Sequence, residues 1–313
     1  MPLRLLHVGR LLFGILNPMR SDITVPEGTA GIRLDRFCLE NFDQVSSRNQ
    51  ARKAIKREEL LLNGEVCESS RFVHPGDVVS LLRSPPSRHK IFELEIPVIF
   101  EDEHMAIMDK PTGLIVNGNR YRTLQNSLRH NLQPCLEEDA LPLPRPCHRL
   151  DAPTGGLVVV AKSHRALVKM GHLLEGRRVE KRYRALLVGR LEGTGEVRSP
   201  IEGREAHTRY QALSHNRALK TEWQTTVDLW PLTGRTHQLR RHMAELGHPI
   251  LGDSLYGTDA PLLKGKGLFL RAISLRFPHP VFGEVMDFAL PDPSKFENQR
   301  VREARRWHQF RNG

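Results

Sequence analysis

His148-Arg149-Leu150-Asp151-Ala152-Pro153-Thr154-Gly155-Gly156-Leu157, running on into Val158-Val159-Val160-Ala161-Lys162, is the stretch whose reading decides the rest. Its second half is apolar and β-branched and reads as a buried strand. Its first half sets one acid, Asp151, at the mouth of a Pro/Gly turn, behind two basic groups, His148 and Arg149. Gly155 and Gly156 let the backbone bend tightly or approach a ligand closely. An acid on a turn at a strand end, in a strongly basic chain, suits a nucleophile or base presented to an anionic polymer. The plainer reading is turn chemistry, because Asp before Pro and Gly bonds its own local backbone. The choice between them rests on what accompanies Asp151 elsewhere.

The chain has 313 residues, room for about two domains, and a hydrophobic fraction of 39%, enough for a core. Lys and Arg number 47 against 36 Asp and Glu, a formal charge of +11. That excess points to nucleic acid or another polyanion as partner. The cysteines Cys38, Cys67, Cys135 and Cys147 form no Cys-x-x-Cys pair, so a zinc knuckle is not expected. So few thiols suit a reducing, cytoplasmic setting. No apolar run approaches the ~20 residues needed to span a bilayer. Residues 1–24 are set outside the fold as an extension; 1–20 could be an organelle-targeting segment, or translation could start at Met19.

Residues 25–83 read as a small module. Ile32, Leu34, Phe37, Cys38 and Phe42 fit a short helix with an apolar face. Ser46-Ser47 supplies an N-cap for a second helix over 48–59. On that helix Arg48, Arg52 and Lys56 recur every four residues and share one face. A single-sign stripe suits phosphate contact; a solvated stripe is the plainer alternative. Asn63-Gly64 signals a hairpin and His74-Pro75-Gly76-Asp77 another turn. Residues 84–92, with Pro85-Pro86, read as a linker.

A larger domain is expected over 93–292. Two short strands end at Lys110-Pro111-Thr112-Gly113; residues 117–146 are polar and read as one helix near Leu124–Asn131 plus a loop. An amphipathic helix follows near His164–Leu174. Glu180–Gly189 reads as a strand with Tyr183, Ala185 and Leu187 on one face. Gly234-Arg235-Thr236-His237-Gln238-Leu239-Arg240 opens a helix that Gly247 and Pro249 close. Leu239, Met243 and Leu246 form its buried stripe, with Arg235 at the helix start and Arg240 leaving the apolar side. The tail 293–313 is basic and reads either as an auxiliary RNA-binding helix or as a disordered end.

No spacing supports a metal: His237 and His242 stand at i, i+5, not the i, i+4 that faces one ion. No phosphate loop, dinucleotide fingerprint or nucleophile elbow is present. What remains is a carboxylate, a tyrosine and arginines, a set suited to a reaction that needs no cofactor. An arginine beside Asp151 would keep it ionised, as a nucleophile or a base. A tyrosine face can stack on a nucleobase.

Arg33-Leu34-Asp35-Arg36-Phe37, Ser47-Arg48-Asn49-Gln50-Ala51, Leu62-Asn63-Gly64-Glu65-Val66 and Pro75-Gly76-Asp77 resemble the S-four-type RNA-binding module. His148-Arg149-Leu150-Asp151, Lys181-x-Tyr183, Gly234 to Arg240, Gly247-His248-Pro249-Ile250-Leu251-Gly252-Asp253 and Tyr256-Gly257, with Lys110-Pro111-x-Gly113, resemble the RluA family of RNA pseudouridine synthases. The resemblance implies an α+β fold, the pseudouridine synthase fold. This is a roughly eight-stranded, mixed, mainly antiparallel sheet with flanking helices, preceded by the small RNA-binding domain. It implies Asp151, Tyr183 and Arg235 as catalytic residues, with Arg235 pairing Asp151. It implies Arg149, Thr154, Gly156 and Leu239 around the substrate, and Arg48, Arg52, Lys56 and Arg240 toward RNA. Gly155 departs from the family, which usually has serine there.

The expected partner is RNA, ribosomal more than transfer RNA, bound by a monomer, with no metal or cofactor. The reaction would be isomerisation of uridine, whose base must first leave its stack. A non-catalytic RNA-binding or ribosome-assembly protein on the same scaffold is the alternative. A glycoside hydrolase would need a second positioned acid, and none is evident.

Overall fold

Asn63 (φ 54°) and Gly64 (φ 84°) take the left-handed backbone that a tight hairpin demands. Asn63 also accepts from the Val78 amide and donates to Asp77, so one turn fastens another. In the computed structural model the described residues are 20–29, 31–42, 45, 47–82, 91–257 and 265–312, without the side chains of 311 and 312. They fall into two units, residues 1–89 and 90–313.

The first unit contains β1 (Arg20–Thr24), β2 (Ile32–Arg33), α1 (Leu34–Asn41), α2 (Arg48–Lys56), β3 (Leu60–Leu62), β4 (Glu65–Val66), β5 (Phe72–Val73) and β6 (Val78–Leu82). Its main sheet runs β1-β6-β3-β4, and β2 pairs β5. Leu34, Phe37, Cys38 and Phe42 of the α1 region pack on Ala51, Ala54 and Ile55 of α2, as their spacing predicts. Ser47 alone caps α2, accepting from the Gln50 amide; Ser46 lies outside the described residues.

Three expectations need correction here. α2 stops at Lys56 rather than Glu59, because Glu58 turns to φ 59°. Residues 20–24 are not outside the fold: β1 pairs β6 from Arg20↔Leu82 to Thr24↔Val78. Ile23 is the one apolar residue among them and packs against the core of the unit, alongside the backbone pairing. The rest of the extension (1–19), residue 83 and most of the linker (84–90) lie outside the described residues. Finally, Arg52 does not belong to a free basic stripe. Its Nε donates to buried Asp35 at 2.8 Å, while Arg48 and Lys56 stay exposed.

The second unit contains β7 (Val98–Glu101), β8 (Met105–Lys110), α3 (Leu124–Asn131), β9 (Ala140–Pro146), β10 (Gly155–Ser163), α4 (His164–Glu175), β11 (Glu180–Val188), β12 (Thr194–Val197), β13 (Thr208–Ala218), β14 (Glu222–Pro231), α5 (Gln238–Glu245), β15 (Leu270–Pro278), β16 (Val285–Ala289) and α6 (Ser294–Asn312). The sheet runs β12-β13-β14-β11-β15-β10-β8-β7, with β16 beside β15 and β9 beside β10. Among these pairings β10–β15 is parallel and the others antiparallel, which is the mixed, mainly antiparallel sheet the motifs imply.

Every residue of β10 is buried, because both its faces are covered. Val158 and Val160 face a core with α3, α5, Tyr183, Ala185 and Leu187. Leu157 and Val159 face the other side, against Met170 and Leu173 of α4. β9, read as loop from its prolines, is a strand that pairs β10 alone; prolines are tolerated on such an edge.

Among its described residues the tail is helical and partly buried. α6 buries Phe296 beside Leu186, Leu251 and Phe269, buries Gln299 and Glu303, and brings Trp307 to the Arg217 guanidinium of β13.

Candidate active site

The loop His148–Thr154 leads into β10 and is tied to the Lys110–Gly113 corner at the end of β8. The Gly113 amide (φ 87°) donates to the Ala152 carbonyl at 2.7 Å. The buried Lys110 ammonium donates to Leu114 O at 2.6 Å and Pro111 O at 3.0 Å, and reaches Ala152 O at 3.4 Å. Burial lowers the Lys110 pKa to about 8 against the pull of Asp151's charge. The Thr154 amide closes the turn on the Asp151 carbonyl at 3.0 Å. Part of the plain turn reading therefore holds, but only for the backbone; the Asp151 side chain is left to the cavity.

That cavity, about 190 Å³, is lined by Arg149, Asp151, Thr154, Lys181, Tyr183, the loop Thr233–His237, Leu239 and Arg240. Tyr183 reaches it from β11. Burial, and then Asp151's charge, raise the Tyr183 phenol above its ordinary pKa, so it stays protonated at neutral pH. Leu239 forms part of the wall from α5, and Thr154 lines the floor with a buried hydroxyl oxygen that has no hydrogen-bond partner.

The guanidinium beside Asp151 belongs to Arg240, not Arg235. Arg240 Nη1 lies 3.7 Å from Asp151 Oδ2, and the side chain is buried, not turned out to RNA. Its Nε and Nη2 donate to the two oxygens of Asp253, each at 2.7 Å. Burial opposes this charge, yet the Asp253 hydrogen bonds and the carboxylates of Asp253 and Asp151 outweigh it and raise the Arg240 pKa. A forked pair of this kind fixes the guanidinium plane. Arg235 lines the same cavity, but its Nε donates to the Glu205 carbonyl at 2.8 Å. The physical reason is a shorter helix: α5 starts at Gln238, after His237 in the left-handed region (φ 55°). Arg235 therefore sits in the loop before α5. Gln238 Oε1 holds that loop, accepting from the Arg235 amide and the Thr233 hydroxyl.

Gly156 is also reassigned. Its φ is 117°, and a Cβ there would fall 2.1 Å from the Ala272 carbonyl oxygen. The glycine serves the approach of β10 to β15 and is not among the residues lining the cavity. At Gly155 a Cβ would meet Lys110 O and Thr112 Cγ2 at 3.1 Å and Arg271 Nη1 at 3.5 Å. Arg271 reaches from β15 across β10 to Asp109 of β8, donating at 2.6 Å. A side chain at Gly155 would press on the Lys110–Thr112 corner and only touch Arg271.

Outside the cavity, His104, Glu137 and Asp139 place ligand atoms within 4.8 Å of one another. Arg165 already engages both carboxylates, and its charge opposes a cation there.

A family model described as RNA pseudouridylate synthase matches residues 104–245, and an S4 domain model matches residues 32–79. "Ribosomal large subunit pseudouridine synthase D" of Xylella fastidiosa is 36% identical over 86% of this chain and 88% of its own. The protein of the same name in Escherichia coli K12 is 32% identical, over 86% and 90%. The chain belongs to the RNA pseudouridylate synthase family. The solved structure of human RNA Pseudouridylate Synthase Domain Containing 1 superposes with a TM-score of 0.53 and 28% identity, over 67% of this chain and 87% of that one. The protein is thus an isomerase that converts uridine in RNA to pseudouridine.

In this synthase, sequence reasoning gave no role to Lys110, His237, Asp253 or Tyr256, although their motifs were in view. His237 places Nε2 3.8 Å from Asp151 Oδ1. The available signal was spacing. Arg240 stands three residues before buried Met243, hence on its face, and an acid follows in the next loop.

His148 yields a prediction. Burial, then the Lys181 charge, lower its pKa to about 3, and its Nε2 accepts from the Val159 amide at 3.1 Å. A lowered folded-state pKa means that the unfolded chain binds the extra proton first. Stability should therefore fall as pH drops from 6.5 toward 3, by up to about 1.4 kcal/mol per pH unit for this one group. Urea unfolding of His148→Gln should show a shallower acid loss than the wild type; identical slopes would contradict the assignment.

Proposed function

We propose that the chain isomerises specific uridines of large-subunit ribosomal RNA, in the cytoplasm, with Asp151 as the catalytic carboxylate. One observation carries the reading: Asp151, Tyr183 and Arg240 meet in a single cavity, with the guanidinium 3.7 Å from the carboxylate. The names of the Xylella and Escherichia relatives support the RNA class.

In the reaction the N1–C1′ bond breaks, the freed uracil turns, and a C5–C1′ bond forms. The C5 proton leaves and N1 gains one, so no oxidant or reductant is needed. Asp151 acts either on the sugar carbon as nucleophile or on a sugar proton as base. Tyr183 offers its face to the extruded uracil, Leu239 walls the pocket, and Thr154 offers its free hydroxyl. Arg149 and Arg235, which line the cavity, would meet the flanking phosphates. Carbodiimide mapping of pseudouridines in a strain lacking the gene tests this. Specific large-subunit sites should vanish and return with the wild-type gene. An unchanged ribosomal pattern would contradict it, and losses confined to transfer RNA would move the substrate.

In the first unit, Arg48 and Lys56 are the cations assigned to phosphate contact. Arg48→Gln with Lys56→Gln should flatten the slope of log Kd against log salt by roughly 1.5–2. An unchanged slope would place both in solvent. Arg52→Gln should instead destabilise the unit, because it strips buried Asp35 of a partner.

A further inference from the structure

Tyr256 gathers more of the site's polar contacts than its place in a loop would require. Its hydroxyl lies 3.0 Å from His237 Nδ1 and accepts from Arg241 Nε at 3.0 Å. Its ring lies 5.1 Å from the Arg240 guanidinium carbon and meets the His237 ring edge-on. Its amide, with that of Leu255, donates to Asp253, the acid that holds Arg240. The tyrosine is thus fixed by the same carboxylate that fixes the arginine. His237 is held in turn in a left-handed conformation that non-glycine residues adopt only when their surroundings enforce it.

The proton count decides what this arrangement does. A phenol has one proton to give. Arg241 donates to the Tyr256 oxygen, so that oxygen spends a lone pair there and keeps its own hydrogen for another partner. Within reach stands His237 Nδ1. If the phenol donates to Nδ1, the neutral imidazole must carry its hydrogen on Nε2, the atom 3.8 Å from Asp151 Oδ1. The reverse tautomer would turn a lone pair toward the carboxylate and repel it.

We infer that Tyr256 is a positioning residue, whose hydroxyl fixes the His237 tautomer so that an Nε2–H faces Asp151. Arg240 and His237 then hold the two carboxylate oxygens from different sides, leaving the carboxylate aimed into the cavity. The 3.8 Å contact is longer than a hydrogen bond, as catalytic contacts often are before substrate is bound. The inference rests on the role proposed for Asp151.

The test is Tyr256→Phe in the full chain, which keeps the ring beneath Arg240 and removes the hydroxyl. Two readouts are needed. Long-range nitrogen–proton NMR of His237 should show the Nε2–H tautomer in the wild type and a mixture in the variant. Tritium release from [5-3H]uridine-labelled large-subunit RNA should show kcat lowered about ten-fold, the effect of one neutral hydrogen bond, with KM unchanged. A role in packing alone would leave the tautomer as it was. An Nδ1–H tautomer in the wild type, or wild-type kcat in the variant, would overturn the inference. Full activity of Asp151→Asn would sink the underlying role of the carboxylate instead, whatever the NMR shows.

Discussion

Asp151→Asn should abolish pseudouridine formation while leaving the protein folded and able to bind RNA. The substitution keeps size and shape and removes the charge. Neither Arg240 at 3.7 Å nor His237 at 3.8 Å is close enough to hydrogen-bond the carboxylate, so little of the fold depends on it. The turn is closed by the Asp151 carbonyl, which asparagine retains. Arg240 keeps its fork to Asp253. An amide can neither attack the sugar carbon nor take its proton. The expected loss is at least about a thousand-fold, the scale seen when the reacting group itself is removed. Tritium release from [5-3H]uridine RNA reads the chemistry, and gel retardation reads the binding. A variant that still turns over near the wild-type rate would remove Asp151 from the reaction.

The largest structural effect should come from Gly156→Ala. A Cβ at this position would stand 2.1 Å from the Ala272 oxygen, 2.7 Å from its nitrogen and 2.8 Å from its carbonyl carbon. These are backbone atoms of a strand held on both sides: Ala272 is the partner of Gly156 on β10 and of Tyr183 on β11. Nothing there can rotate away. The φ of 117° adds backbone strain for any residue with a side chain. A loss above about 4 kcal/mol is expected, which for a domain of this size lowers Tm by roughly 10 °C or more. Gly155→Ser should be far milder, since its nearest contacts are at 3.1 Å and one is a methyl group. Differential scanning calorimetry separates the two. Gly156→Ala melting with the wild type would mean that β10 and β15 do not approach as described.

Much of this was legible from the chain. Helices with a capping serine or threonine and a clear apolar face, such as α3 and α4, stand almost where periodicity puts them. So does the buried run of β10. β15 and β16 escaped despite their apolar residues, and other strands escaped because apolar alternation is weak in them. β1 has a single apolar residue, β9 carries three prolines, and much of β13 is exposed. Their places are set by partners distant in sequence. At the site, Asp151, Tyr183 and Leu239, which their motifs single out, line one cavity. Arg235 was paired with Asp151 through the family resemblance, and starting the helix at Gly234 rather than Gln238 gave no reason to prefer Arg240. The actual start depends on His237 adopting a left-handed conformation, which its identity does not announce. Gly156 was misread because glycine signals close approach without saying to what.

The claim on which the account turns is that Arg240, anchored by Asp253, holds the carboxylate of Asp151 in the uridine pocket. Single-turnover tritium release by Arg240→Gln and Arg235→Gln, measured side by side on [5-3H]uridine-labelled large-subunit RNA and with folding checked by circular dichroism, tests it most directly. Arg240→Gln should lose about a hundred- to a thousand-fold in rate, the worth of a preorganised charge at a reacting centre, and Arg235→Gln should lose far less. The opposite order, with Arg235→Gln dead and Arg240→Gln active, would contradict it.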